Sequence, residues 1–355
     1  MALPVALTFL IDLLALLGIF AIISLSLNIE FGYTGIPNFG KLLAVAGGAF
    51  FVGAVPGRIL AYVYNALDNL DYIRDTNLVM TNINRILSAD VLSSITLLIL
   101  SLLGAAFIGA ILGFIASYPA IRLREDYLAI TLLAMAEILV MIGRNYEDLI
   151  GGTKGVAIPD PFRWVGGEWR FVAATCTILV VLLLILFYVE SISRSPLGRT
   201  LRAIRDDEIS AEVFGKDVVK IRMKVLMVGS SIAAVGGALS AFLSGSVVAA
   251  GFTRVTHTFW PWVMVIIGGA ANNFGVLLGS ALFVTLRKVI TFYKDVFKPF
   301  LPFDVVWLEY LLLGIILIIV LIYRPEGIIP EKPSRTLSRR ELDQIMREIK
   351  LKTAK

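Results

Sequence analysis

Residues 3–27 carry one charged side chain, Asp12, and apolar stretches like this recur along the chain. A helix needs about 20 apolar residues to cross a hydrocarbon core about 30 Å thick, and in lipid it must satisfy its own backbone polar groups. Further runs of comparable character cover 91–117, 127–143, 171–189, 225–243, 276–290 and 305–323. Two segments are short, 42–55 and 259–267, the second running into Gly268-Gly269. At about 1.5 Å per residue the second reaches about half way across the core, which predicts a discontinuous or re-entrant helix. The fold class is therefore an all-α integral membrane protein with about nine transmembrane segments, short or re-entrant helices among them. Run 3–27 has no basic flank and no small-residue cleavage site, and reads as a retained span rather than a signal peptide.

Composition agrees and excludes several classes of function. Hydrophobic residues make up 58% of the 355 positions and charged residues 17%, against about 45–50% and about 25% in soluble domains. One Cys (Cys176) and one His (His257) leave no material for a disulfide scaffold or a Cys/His metal cluster. Neither a metal site nor a catalytic residue is expected. His257, near Trp260 and Trp262, reads as an interfacial aromatic anchor. No nucleic-acid partner is expected either.

The net charge of +5 matters less than where the charges fall. Segment 191–224 carries eight basic residues, the chain from Arg324 onward nine, and the short loop at Arg122 and Arg124 two. All three lie on one side if both short segments are crossings, and that side is expected to be the cytoplasm, with the N-terminus outside. Loops 56–90 and 144–170 hold as many acids as bases or more, and face the other way. The division that follows is a membrane domain over 1–330, containing the cytoplasmic loop 191–224, and a basic cytoplasmic tail over 331–355. The tail, introduced by Pro330 and Pro333, is expected to form a short surface helix or a solvated end that can touch anionic lipid.

Loop 191–224 is longer than a connection requires. Leu197, Leu201, Ile204, Ile209, Val213 and Phe214 recur near helical spacing, and Asp206, Asp207 and Glu208 mix with Arg199, Arg202 and Arg205. Gly215 follows as a C-terminal cap. The pattern predicts an amphipathic helix whose apolar stripe meets either a partner protein or the lipid headgroups. Asp12 and Glu137 read as intramembrane carboxylates near mid-bilayer, each facing a partner, a cavity or a pore. Gly104, Ala105, Gly109, Ala110 and Gly113 form one small-residue face and Gly229, Ala233, Gly236, Gly237 and Ala241 another, both suited to close helix packing. The block Asn38-Phe39-Gly40-Lys41-Leu42-Leu43 is echoed by Asn273-Phe274-Gly275-Val276-Leu277-Leu278. Broken helices at matching positions of two halves often frame a transport path. Gly151-Gly152-Thr153-Lys154-Gly155 lacks the Ser or Thr after Lys and the preceding strand of a phosphate loop, and reads as a tight outer turn.

The stretch Arg194-Ser195-Pro196-Leu197-Gly198-Arg199, continued by Arg202-Ala203-Ile204-Arg205-Asp206-Asp207-Glu208 and Ala211-Glu212 up to Gly215, resembles the cytoplasmic loop of branched-chain amino acid ABC permeases. More narrowly, it resembles the subunit type that pairs with a second, related permease. Other blocks resemble the family in the same order: Asn28, Gly32, Gly35 and Gly40 with Gly47-Gly48-Ala49-Phe50; residues 126–132 with Glu137-Ile138; Gly151 to Gly155; Gly268-Gly269, Gly275 and Gly279; and Arg324-Pro325-Glu326-Gly327. The resemblance runs from about Asn28 to Ile328. Ser210 in place of Ala, Lys41 and the long loop 56–90 depart from the family pattern.

The resemblance implies a permease subunit in the cell membrane, part of an importer for branched-chain or related hydrophobic amino acids. Its expected partners are a second homologous permease, two cytoplasmic ATPase subunits, an extracytoplasmic substrate-binding protein and membrane lipid. No cofactor is expected on this chain, ATP being bound by the ATPases. The residues implied in ATPase coupling are Arg199, Arg202, Ile204, Asp206, Asp207, Glu208, Ala211, Glu212, Phe214 and Gly215. Candidates for the translocation path are Asn38, Gly40, Thr131, Glu137, Gly268, Gly269 and Asn273. A same-family permease for urea or short amides is one alternative. An ion-coupled secondary transporter using Asp12 and Glu137 is another; an integral-membrane enzyme is disfavoured by the single His.

Overall fold

A computed structural model describes residues 4–65, 70–123, 125–294 and 305–331, so Arg124 and the tail beyond Glu331 lie outside the described residues. The chain runs through α1 (Val5–Leu27), α2 (Lys41–Ala54), α3 (Pro56–Val63), α4 (Thr76–Ala89), α5 (Val91–Arg122), α6 (Glu125–Asn145), α7 (Glu147–Ile150) and α8 (Trp169–Arg194). It continues with α9 (Pro196–Asp206), α10 (Glu208–Val213), α11 (Val218–Ser244), α12 (Trp260–Gly268), α13 (Asn273–Phe292) and α14 (Val305–Tyr323). Two π-helical turns, Asn28–Tyr33 and Val255–Phe259, extend α1 and precede α12. The strands β1 (Val156–Ala157) and β2 (Ser246–Val247) pair antiparallel.

Among the described residues, seven helices are long and apolar enough to cross a membrane, and residues 255–268 and 310–323 form shorter apolar helices. The short segment read at 42–55 does not stop there. α2 runs into α3 with Pro56 at its first position, giving an apolar span over Lys41–Val63, because Pro at a helix start gives up only a donor that has no intrahelical partner.

Residues 255–268 form the short apolar helix expected of a discontinuous segment. The ends of α1 and α8 meet at one face, where Asn273 hydrogen-bonds both Asn28 and Glu190. α9 and the start of α11 follow α8 at that same face, so α11 ends at the opposite one. The chain from Val255 to Gly268 leads from the end of α11 back to Asn273, and so passes from one face to the other. The sequence shows the segment as short because the polar residues Thr256, His257 and Thr258 precede the apolar run. In the structure His257 and Thr258 are buried, with His257 stacked on Phe252 and Thr258 accepting from the Leu42 amide at 3.1 Å.

Small residues set the packing distances. The α5 glycine face meets α11: a Cβ on Gly109 would lie 2.5 Å from the Ser230 carbonyl oxygen, and one on Gly113 2.5 Å from that of Leu226. α2 and α11 are closer still, since a Cβ on Gly237 would lie 2.0 Å from the Val45 carbonyl oxygen and one on Gly48 2.1 Å from that of Ala234. The obstacle is backbone on both sides, so a methyl group must push helices apart. Overpacking costs about 1–3 kcal/mol or more, and Gly237→Ala is expected to lower the folded yield and detergent melting temperature clearly. Gly314→Ala, with nothing within 4 Å of the added carbon, serves as the silent control.

Loop 56–90 is long because it folds. Ala61, Val79, Met80, Ile83, Leu87 and Leu97 bury one another in a small separate core, beside the β1–β2 pair. Gly151, Gly152 and Gly155 all take positive φ in the turn leading to β1, as a tight turn demands.

Candidate functional site

The most unusual chemistry gathers at the face that carries the basic loop. Ser195 caps α9, with Pro196 at the first helical position, and α9 ends at Asp206. The single helix expected across 197–214 is in fact two. Asp207 is extended (φ −157°, ψ 106°) and caps α10: its carboxylate accepts from the Ser210 amide at 3.1 Å and the Ser210 hydroxyl at 2.7 Å. These bonds hold the Asp207 carboxyl below the usual carboxylate range. An Asp that can cap competes with helix continuation, and here the cap wins. Gly215 closes α10 with φ +76°, the left-handed conformation its position predicts.

The split also divides the apolar stripe. Leu201, Ile204 and Ala211 are buried against the chain itself, whereas Ile209 (75%), Val213 (80%) and Phe214 (82%) are exposed. Ile204, expected at a partner's groove, is corrected to an internal contact, packed with Ala211 and Val218. Arg202, implied in coupling, and Arg205 also turn inward. Both bond Glu331, at 2.7 Å and 2.9 Å, and Arg202 lies over the Tyr33 ring. Arg205 donates to the Gly32 carbonyl at 2.7 Å. Glu208 pairs with Arg222 at 2.8 Å. Arg199, Asp206, Asp207, Glu212 and Gly215 remain at the surface.

Behind this face lies a buried charge pair. Glu30 and Lys41, 2.7 Å apart and both fully buried, are joined by Asn38, which donates to the same Glu30 oxygen at 2.8 Å. The Trp262 indole donates to the Asn38 carbonyl at 3.2 Å, and Gly229 of α11 leaves room for the Glu30 carboxylate. Next to it, Asn28 accepts from the Ala271 amide at 2.8 Å and donates to Asn273 at 2.9 Å, and Asn273 donates to Glu190 at 2.7 Å. Sequence reasoning took Asp12 and Glu137 for the intramembrane acids and missed Glu30. A signal was present: Glu30 and Lys41 are the only charged residues between Asp12 and Arg58.

Most path candidates are enclosed by this network. Asn38 and Asn273 are buried and hydrogen-bonded; Gly40 packs on the Leu132 backbone, Gly268 on Gly275, and Gly269, at φ +110°, on the Ile329 carbonyl. The echoed blocks start two helices from the same face in different registers, since Asn38 precedes α2 and its cap Gly40 while Asn273 is the first residue of α13. Thr131 and Glu137 lie on α6, half-buried, with Thr131 donating to the Tyr127 carbonyl at 2.8 Å. Asp12 faces a partner, as expected of an acid within an apolar run. It pairs with Lys288 near the end of α13 and shares a surface cleft with Glu168, just ahead of α8.

Known proteins are similar to this chain in sequence over most of its length. The family described as branched-chain amino acid transport system / permease component matches residues 9–321. The chain belongs to this permease family. A Methanocaldococcus jannaschii protein, named probable branched-chain amino acid transport permease protein LivM, is 39% identical over 329 residues, covering 91% of this chain and 95% of that protein. A Salmonella typhimurium high-affinity branched-chain amino acid transport system permease protein LivM is 25% identical over 344 residues, covering 90% of this chain and 70% of its own. A Methanocaldococcus jannaschii protein named probable branched-chain amino acid transport permease protein LivH is 26% identical over 195 residues, which is 52% of this chain and 61% of that protein. No solved structure matches. The chain is thus a LivM-like ABC permease, all-helical and multi-pass in the cell membrane.

In this permease, Glu137 is the one path candidate with a charge and no partner among the described residues. It borders the exposed strip Ala134, Ile138 and Met141 of α6.

Proposed function

We propose that this permease is one of two homologous membrane subunits of an importer for branched-chain amino acids, driven by ATP hydrolysis on two separate subunits at the basic, cytoplasmic face. A binding protein delivers substrate at the opposite face, near the glycine turn 151–155. The observation that carries the reading is the outward patch of Ile209, Val213 and Phe214, displayed on the loop that resembles the family's ATPase-docking segment. Three large apolar side chains exposed together next to charged neighbours call for a partner. The loop's inner residues fasten it to the membrane helices, so a push on the patch reaches the bundle.

The test is reconstitution of the full complex in proteoliposomes. Leucine uptake is expected to require ATP and both ATPases, and to persist when ion gradients are dissipated. Uptake driven by an ion gradient without ATPase would contradict the reading and favour a secondary transporter; ATP-driven uptake of urea instead of leucine would shift the cargo.

Glu137 belongs to the same reading. An ionised acid inside a span costs about 2.5–3.5 kcal/mol on insertion scales, so it is placed where the path or the second permease supplies water or a donor. Glu137→Gln keeps the shape and removes the charge. The expected outcome is a clear drop in uptake with the complex still assembled, measured as initial rate beside subunit stoichiometry. Uptake at the unmodified rate would remove the residue from path and interface.

A further inference from the structure

The segment following α14 returns to the bundle and crosses three elements at once. The Ile328 and Ile329 amides donate to the carbonyls of Ile267 and Gly268 at 2.9 Å and 3.0 Å, extending the end of α12. Asn272, the cap of α13, donates to the Pro330 carbonyl at 2.9 Å. Glu331 then closes the arrangement, one carboxylate oxygen on Arg202 and the other on Arg205 of α9. Arg205 reaches on to the Gly32 carbonyl, and Arg202 to the Ser193 carbonyl and the Tyr33 ring. One residue thereby links the cytoplasmic loop to the turn after α1 and to the break between α12 and α13.

Backbone bonds and close packing on Gly269 and Gly275 hold the segment as far as Ile329, and beyond it the charged bonds of Glu331 make the link to α9. An open pocket of about 440 Å³, lined by Phe31, Gly32, Gly35, Arg205, Glu326 and Glu331 among others, lies beside it. Directional charge-assisted hydrogen bonds fix position as well as distance, and a carboxylate shared by two guanidiniums is among the stronger such ties.

We propose that Glu331 is a positioning residue, tying α9 to the ends of the broken membrane helices so that the loop and those ends move as one body. The role rests on the ATP-driven import proposed above, because motion of α9 has a purpose only if an ATPase moves it. Glu331 touches neither substrate nor ATP.

Two measurements test it, the first needing no ATPase. In purified full-length permease with Cys176→Ser, spin labels are placed at Arg199→Cys on α9 and Arg324→Cys beside the returning segment. A single narrow distance distribution is expected, broadening when Glu331→Gln is added and narrowing again with Glu331→Asp, which keeps the charge. A distribution unchanged by Glu331→Gln, or already broad without it, overturns the tie. The second measurement is leucine taken up per ATP hydrolysed in the reconstituted complex. Losing a charged hydrogen bond costs about tenfold in the linked equilibrium, so Glu331→Gln is expected to lower that ratio several-fold with the ATPases still bound, and Glu331→Asp to recover most of it. An unchanged ratio overturns the positioning role even if the distances broaden. ATP-independent transport by the unmodified complex would instead strike the importer reading, leaving the distance result to judge the tie.

Discussion

Lys41→Met is expected to cost the permease most of its folded yield. The substitution leaves Glu30 buried, with its counter-ion gone and only Asn38 donating to it. Removing one partner of a buried pair costs about 3–5 kcal/mol, whereas replacing both by apolar or neutral groups of similar size is often close to neutral. Glu30→Gln with Lys41→Met should therefore recover much of the loss, since a glutamine can still accept from Asn38. Detergent-solubilised yield and melting temperature are the readouts. A double variant no better than Lys41→Met would show that the pair is held by more than mutual neutralisation. If both charges also serve transport, the double variant would be stable but slow.

The second large effect is at the exposed patch. Burying one large apolar side chain contributes roughly 1.5–3 kcal/mol, so Phe214→Ala should weaken ATPase retention by about tenfold or more. Val213→Ala should do so by less, because fewer atoms are removed. Leu201→Ala is expected to fail differently: Leu201 belongs to the permease's own core, and a core truncation costs about 2–5 kcal/mol of stability. Pull-down of the ATPases, set beside the permease melting temperature, separates the two. Phe214→Ala should lose the ATPase at an unchanged melting temperature, and Leu201→Ala should lose both. Gly215→Val should resemble Phe214→Ala, since φ +76° excludes a β-branched residue and α10 would lose its end.

Some of this was legible in the chain before any coordinates. Apolar runs fix helix positions because lipid leaves no alternative, and Gly215 announces its cap because it follows an apolar turn end. The direction in which loop side chains face was not legible. Leu201 and Phe214 have the same hydrophobicity pattern in sequence, and only the Asp207 cap, which breaks the helix and resets its phase, sends one in and the other out. The Glu30–Lys41 pair escaped for a related reason: eleven positions and a turn separate the partners, so no helical period joins them. The turn's geometry depends on contacts with Trp262, more than two hundred residues away in sequence. The partner of Asp12 was not legible either, since Lys288 lies on a neighbouring helix 276 positions away.

The outward patch on α10 is expected to seat an ATPase. Photo-crosslinking is the direct measurement, with benzoylphenylalanine placed at Phe214 in one sample and at Leu201 in another, in membranes containing the full complex. An ATPase adduct is expected from position 214 and none from position 201, whose side chain is enclosed by the permease. Adducts with lipid alone at position 214, or an ATPase adduct at 201, would contradict the account.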